Sequence, residues 1–194
     1  MRKIFAVVSA LALAAALFAQ APAVPKEATR PAGEFVIHMV DGTQKLLSSY
    51  RGKFIVMAFM YTTCPHCQAM AGTLAKIQTE YADKGLQVLG VTFDAGAANN
   101  VTGFIKMTGA NFPCGYSTPD QVVKFMHAQD DYYVPMLAFI DRTGAVRSQY
   151  ISYGDPNGIA DKFLADRDAN IHKEIDKYLK TPVPTSTAKQ APKS

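Results

Sequence analysis

The chain has no tryptophan and only three cysteines among its 194 residues. Three cysteines are too few for a small secreted scaffold held by crosslinks in place of a core. A dominant charge is missing as well. Lys and Arg number 20 against 16 Asp and Glu, a net charge of +4, and without Arg2 and Lys3 the excess falls to 18 against 16. An imbalance that small excludes a nucleic-acid partner read from charge alone. Only one long apolar run exists. Residues 4–18 run for 15 positions with Ser9 as the single break, short of the about 20 residues that cross a bilayer. A polytopic membrane protein is therefore excluded. With 13 Gly and 11 Pro, collagen-like and low-complexity chains are excluded too. What is present is ordinary for a globular protein: 48% hydrophobic and 19% charged residues. The length suits one domain with a sizeable core.

The ends differ from the middle. Met1-Arg2-Lys3 is a basic start, residues 4–18 are the apolar stretch, and Ala19-Gln20-Ala21 offers small residues two apart. That order defines a signal peptide over residues 1–21, with cleavage after Ala23 and an uncleaved membrane anchor as the alternatives. No cysteine lies nearby to carry a lipid. The expected compartment is periplasmic or otherwise exported, where disulfides persist. Residues 22–33, with Pro22, Pro25 and Pro31, read as a linker. Residues 181–194 hold almost nothing to bury and read as a disordered tail. The folded domain is expected over residues 34–180.

Within it, residues 34–40 and 44–47, separated by Asp41-Gly42, predict a β-hairpin. Residues 54–60 are continuously apolar, as in a central strand covered on both faces. Met70, Leu74, Ile77 and Tyr81 are spaced 4, 3 and 4, which predicts a helix through residues 64–83 stopped at Gly85. A second buried strand follows over 86–93. Helices are expected over 99–108, with Val101, Phe104, Ile105 and Met107 inward, and over 119–127. A short extended segment falls at 111–116. Residues 136–140 and 146–151 form strands about an Asp141-Arg142-Thr143-Gly144 turn, and a helix over 159–179 closes the domain. Strands alternating with helices, then a hairpin and a final helix, mean an α/β fold with a mixed sheet.

Cys64-Pro65-His66-Cys67 sits where the first buried strand gives way to a helix. Unpaired backbone N–H groups and the positive end of the helix dipole converge there and stabilise a thiolate. Thr62 or Thr63 is positioned to cap the helix, and Pro65 suits its first turn. Cys64 is expected to be the exposed nucleophile and Cys67 the buried resolving thiol. His66, when cationic, would lower the Cys64 pKa further. A zinc site lacks its other half, since there is no second Cys-x-x-Cys and no His-x₃-His pair. A purely structural disulfide would close too short a loop to stabilise much. No metal or cofactor is expected. Cys114 reads as a small buried residue, with a third redox thiol as the alternative, and Met57, Met60 and Met70 as core fillers, with a copper(I) site shared with Cys64, Cys67 and His66 as the alternative.

The stretch from Phe54 through Tyr61-Thr62-Thr63 to Cys64-Pro65-His66-Cys67, with Tyr133-Val134-Pro135-Met136 much later, resembles the thioredoxin superfamily. More closely it is similar to the exported TlpA/ResA-like thiol-disulfide oxidoreductases. The resemblance implies a thioredoxin-like three-layer α/β/α domain with an N-terminal β-hairpin. It implies that Pro135 is a cis-proline facing the cysteines and that the Val134 backbone pairs with a substrate strand. It also implies that the partners are thiols and disulfides of exported proteins, with a membrane redox partner and a monomeric chain. The Pro-His dipeptide is that of DsbA-type oxidases, although their large helical insertion is not evident. Two departures matter. Thr63 stands where such families often carry Trp. Ala58 stands where thioredoxin-type chains carry a buried carboxylate, so the sequence names no proton acceptor for Cys67. The alternative functions are a copper(I) carrier or chaperone using the same cysteines and a peroxiredoxin-like peroxidase. The former usually has three residues between its cysteines. The latter requires Pro and Thr where this chain has Met57 and Tyr61.

Overall fold

A computed structural model of the protein describes residues 26–153 and 166–179. The signal peptide, the tail and Phe163 and Leu164 of the expected final helix lie outside the described residues. Eight strands form one mixed sheet. They are β1 (Lys26–Pro31), β2 (Val36–His38), β3 (Gln44–Leu46), β4 (Phe54–Met60), β5 (Leu86–Thr92), β6 (Cys114–Tyr116), β7 (Tyr132–Ile140) and β8 (Ala145–Tyr153). Their order across the sheet is β1-β8-β7-β4-β5-β6-β2-β3. The pairs β4–β5 and β5–β6 are parallel, and all the others are antiparallel. The α-helices among the described residues are α1 (Pro65–Tyr81), α2 (Ala97–Thr108), α3 (Pro119–Met126) and α4 (Arg167–Leu179).

The alternation of β4 shows how the layers arise. Phe54, Val56, Ala58 and Met60 face one cluster with Met70, Leu74 and Ile77 of α1, Phe104 of α2 and Ile171 and Ile175 of α4. Ile55, Met57 and Phe59 face the other, with Val122, Phe125 and Met126 of α3 and Phe35 and Ile37 from the hairpin. Every residue of β4 is buried, which is why it reads as an unbroken apolar run. The result is the expected three-layer α/β/α domain with an N-terminal β-hairpin.

Two expectations are corrected. Residues 26–31, placed in the linker, form β1, paired antiparallel with β8. Pro31 is tolerated because β1 lies at the sheet edge, where a missing N–H breaks no ladder on its outer side. Met107, expected inward, is 60% exposed. Ala97 joins the expected Val101 and Phe104 in the buried stripe of α2.

Cys114 is a packing residue. Its side chain is 1% exposed, and burial pushes its thiol up to about 12. A Cβ on Gly90, in neighbouring β5, would lie 2.7 Å from its sulfur and 3.0 Å from the Phe112 ring. Gly90→Ala should therefore destabilise the domain by about 1–3 kcal/mol through overpacking. Adding Cys114→Ala should recover part of that loss, a coupling that urea unfolding of the two single variants and the double variant measures.

Candidate active site

The parallel ladder of β4 and β5 aligns Met60 with Thr92, so both strands deliver their following turns to one edge of the sheet. From β4 the chain turns through Tyr61, Thr62 and Thr63 into α1. Cys64 is the N-cap residue, with extended dihedrals (φ −81°, ψ 119°) and Pro65 behind it at the start of the helix. The cap differs from the one expected. Neither threonine caps the helix; the Cys64 sulfur does so itself, accepting from the Cys67 N–H at 3.4 Å. Sulfur can replace oxygen here because the orphan N–H groups of the first turn converge on the N-cap side chain.

The two thiols occupy opposite environments. Both are free, Cys64 half-buried and Cys67 fully buried. Hydrogen bonding to Cys67, its side chain first and then its backbone, holds the Cys64 thiol down at about 6. Burial opposes that shift, whereas the His66 backbone N–H and the His66 charge reinforce it. For Cys67 burial is the largest cause and pushes the thiol far above its ordinary range, and the neighbouring Cys64 adds to the effect. A single backbone donor works the other way: the Tyr61 N–H reaches the Cys67 sulfur at 3.4 Å.

Opposite Cys64, the Val134–Pro135 peptide is cis. The Cys64 sulfur lies 3.9 Å from the Val134 carbonyl oxygen. The β7–β8 register shifts between Tyr133 and Leu137, so the ladder is interrupted at the point where Val134 and Pro135 approach the thiol. Next to it, the Tyr61 and Tyr132 hydroxyls are 3.3 Å apart, and both rings pack against Phe93. Tyr133 is 36% exposed at the rim. Met57, Met60 and Met70 are fully buried core residues. Among the described residues, no group of three or more His, Cys, Asp and Glu is placed to hold a metal ion.

All six residues singled out from the sequence — Cys64, Pro65, His66, Cys67, Val134 and Pro135 — lie at this edge. Asp94 was missed. Its carboxylate accepts from the Thr62 N–H at 2.8 Å and from the Thr62 hydroxyl at 2.6 Å. The available signal was positional: it is the acidic residue just past the carboxyl end of a central parallel strand, where open α/β sheets place their sites.

A helix N-terminal Cys-x-x-Cys against a cis-proline, on a mixed sheet layered by helices, defines a thioredoxin-like protein. The chain belongs to the AhpC/TSA family, whose model matches residues 28–172. It is 28% identical over 130 residues to the thiol-disulfide oxidoreductase ResA of Geobacillus thermodenitrificans, covering 67% of this chain and 71% of that one. Solved structures share the fold. A Chlorobium tepidum structure described as a thiol:disulfide interchange protein DsbE aligns with TM-score 0.64 at 22% identity, covering 78% of this chain and 97% of that one. A secreted Mycobacterium tuberculosis disulfide oxidoreductase homologous to E. coli DsbE aligns with TM-score 0.54 at 15% identity, covering 72% and 95%.

Proposed function

We propose that this protein is a thiol-disulfide oxidoreductase that exchanges disulfides with exported proteins through Cys64-Pro65-His66-Cys67. The carrying observation is the asymmetry of the two thiols. One is half-exposed and held near 6, and the other is buried and held protonated, one helical turn apart. As a reductant, the Cys64 thiolate attacks a client disulfide and one client sulfur leaves as a thiolate. Cys67 then loses its proton and attacks the Cys64 sulfur. The Cys64–Cys67 disulfide forms and the second client thiolate leaves, so two electrons pass to the client. Oxidation of a client dithiol is the same sequence reversed. The interrupted ladder at Val134 leaves room for an extended client backbone beside Cys64.

The names of the ResA and DsbE relatives support this activity. Export is supported by the basic and apolar start of the chain and by the secreted M. tuberculosis neighbour. Among the described residues, no helix is long and apolar enough to cross a membrane. We assign residues 1–21 as the signal peptide and residues 34–180, extended by β1, as the domain. The protein works as a monomer resupplied by a membrane redox partner. A peroxidase finds less support, because the Tyr61 hydroxyl at the threonine position points to Tyr132.

The test is catalysis of insulin disulfide reduction by dithiothreitol, with thiols counted by alkylation before and after treatment with oxidised glutathione. Acceleration of at least about tenfold over dithiothreitol, with loss of two alkylatable thiols, is the expected result. Absence of catalysis with all three thiols retained would refute the assignment.

A further inference from the structure

We propose that Asp94 is a positioning residue for the release step, holding the 61–62 peptide against Cys67 and bringing its carboxylate to the turn that carries that thiol's donor. The inference rests on the exchange reaction proposed above.

The geometry is that of two consecutive amides. The Tyr61 N–H donates to the Cys67 sulfur at 3.4 Å, and the next N–H, that of Thr62, donates to Asp94 Oδ1 at 2.8 Å. The Thr62 hydroxyl holds the other carboxylate oxygen at 2.6 Å, and the Thr62 carbonyl accepts from Gln68 Nε2 at 3.0 Å. Thr62 is buried. The turn bearing the Tyr61 N–H donor to Cys67 is thus fixed by Asp94, just past β5, and by Gln68 of α1. Within the turn itself the Cys64 N–H donates to the Tyr61 carbonyl at 3.3 Å.

The clamp matters most in the mixed disulfide. In the dithiol, Cys64 is one of the main causes that hold Cys67 protonated. Once Cys64 is bonded to a client, its thiolate charge is gone. Burial, the Tyr61 N–H and the Asp94 charge then remain around Cys67. The other groups facing the site are Tyr61, whose hydroxyl burial holds neutral against Tyr132, and His66 on the Cys64 side. Asp94 therefore acts twice on one step. Its charge delays ionisation of Cys67, and its hydrogen bonds aim the donor that stabilises the thiolate.

Stopped-flow reaction of the reduced protein with 5,5′-dithiobis(2-nitrobenzoate) separates these effects. In the first phase Cys64 attacks the aromatic disulfide, a Cys64–aryl mixed disulfide forms and one arylthiolate leaves. In the second, Cys67 gives its proton to solvent and attacks Cys64, and the second arylthiolate leaves at a rate independent of reagent concentration. Asp94→Asn removes the charge, keeps the Thr62 N–H bond on its amide oxygen and reverses the second bond, its amide N–H donating to the Thr62 hydroxyl. It should leave the first phase unchanged and make the second faster at pH 7, with its midpoint moved to lower pH and its high-pH plateau unchanged. Asp94→Ala should move the midpoint likewise but lower the plateau, because the thiolate forms there without its aimed donor.

An unchanged second-phase profile in Asp94→Asn would overturn the charge effect. Equal plateaus in the two variants would overturn the clamp. Equal shifts in both phases would show a general field rather than action on Cys67. Absence of a second phase in the wild-type protein would instead refute the exchange reaction itself.

Discussion

Replacing Cys67 with serine should arrest the protein as a covalent complex with its client, and replacing Cys64 should leave no adduct. The two cysteines are three residues apart, but their environments differ enough to separate their roles. Cys64 is held near 6 by hydrogen bonds from Cys67 and the helix N-terminus, so at pH 7 it is mostly thiolate. Burial pushes Cys67 far above the ordinary thiol range. At neutral pH it therefore presents less than about a thousandth of the thiolate that Cys64 does. Cys114, 1% exposed, cannot substitute for either. Cys64→Ser should lower the exchange rate by at least about a thousandfold. Cys67→Ser should retain the first attack and lose the release, so mixed disulfides accumulate. Non-reducing electrophoresis of acid-quenched mixtures, with a reduced and an oxidised client in parallel, reads both outcomes. Equal trapping by the two variants would show that the roles of Cys64 and Cys67 are not divided.

These contrasts are partly legible in the sequence. The unbroken run of β4 and the 4-3-4 spacing of Met70, Leu74, Ile77 and Tyr81 define a central strand followed by a helix packed on it. A cysteine at that junction must meet the helix N-terminus whatever the rest of the fold does. Other features depend on partners distant in sequence. Strand β1 is polar and bounded by proline, and it exists because β8 offers it a free edge. The capping role of Cys64 was hidden because serine and threonine normally take that position, and two threonines precede it. Asp94 was hidden because its partner Thr62 lies 32 residues earlier. Only the parallel pairing of β4 with β5 brings the two turns together. Local pattern thus located the candidate nucleophile and its helix, while the groups proposed to tune the buried thiol are a product of sheet topology.

His66 should set part of the driving force, and two substitutions separate how it does so. Its charge and its backbone N–H both lower the Cys64 pKa. His66→Ala removes the charge alone, whereas His66→Pro removes the charge and the N–H in the first turn, where proline is tolerated. The Cys64 pKa should therefore rise from about 6 in both variants, and further with proline. The sign of the redox effect follows from linkage. A thiol whose folded pKa is depressed stabilises the reduced protein fully above the ordinary thiol value of about 8.5, and that contribution is lost as pH falls through the folded value. At pH 7 a thiol at about 6 is roughly nine-tenths ionised, a tenfold factor in the reduction equilibrium. That factor raises the potential by about 30 mV over a couple with an ordinary thiol. The wild-type couple should accordingly lie on the oxidising side of thioredoxin's about −270 mV and well short of DsbA's about −120 mV. Both variants should be less oxidising than the wild type at pH 7, His66→Pro by more, and the differences should vanish near pH 5, where Cys64 is protonated in all three. Thiolate absorbance across pH gives the pKa values, and titration against glutathione or dithiothreitol gives the potentials. A wild-type potential at or below that of thioredoxin, with an ordinary Cys64 pKa, would mean that the helix N-terminus and His66 do not govern this thiol, and that the protein serves as a dedicated reductant.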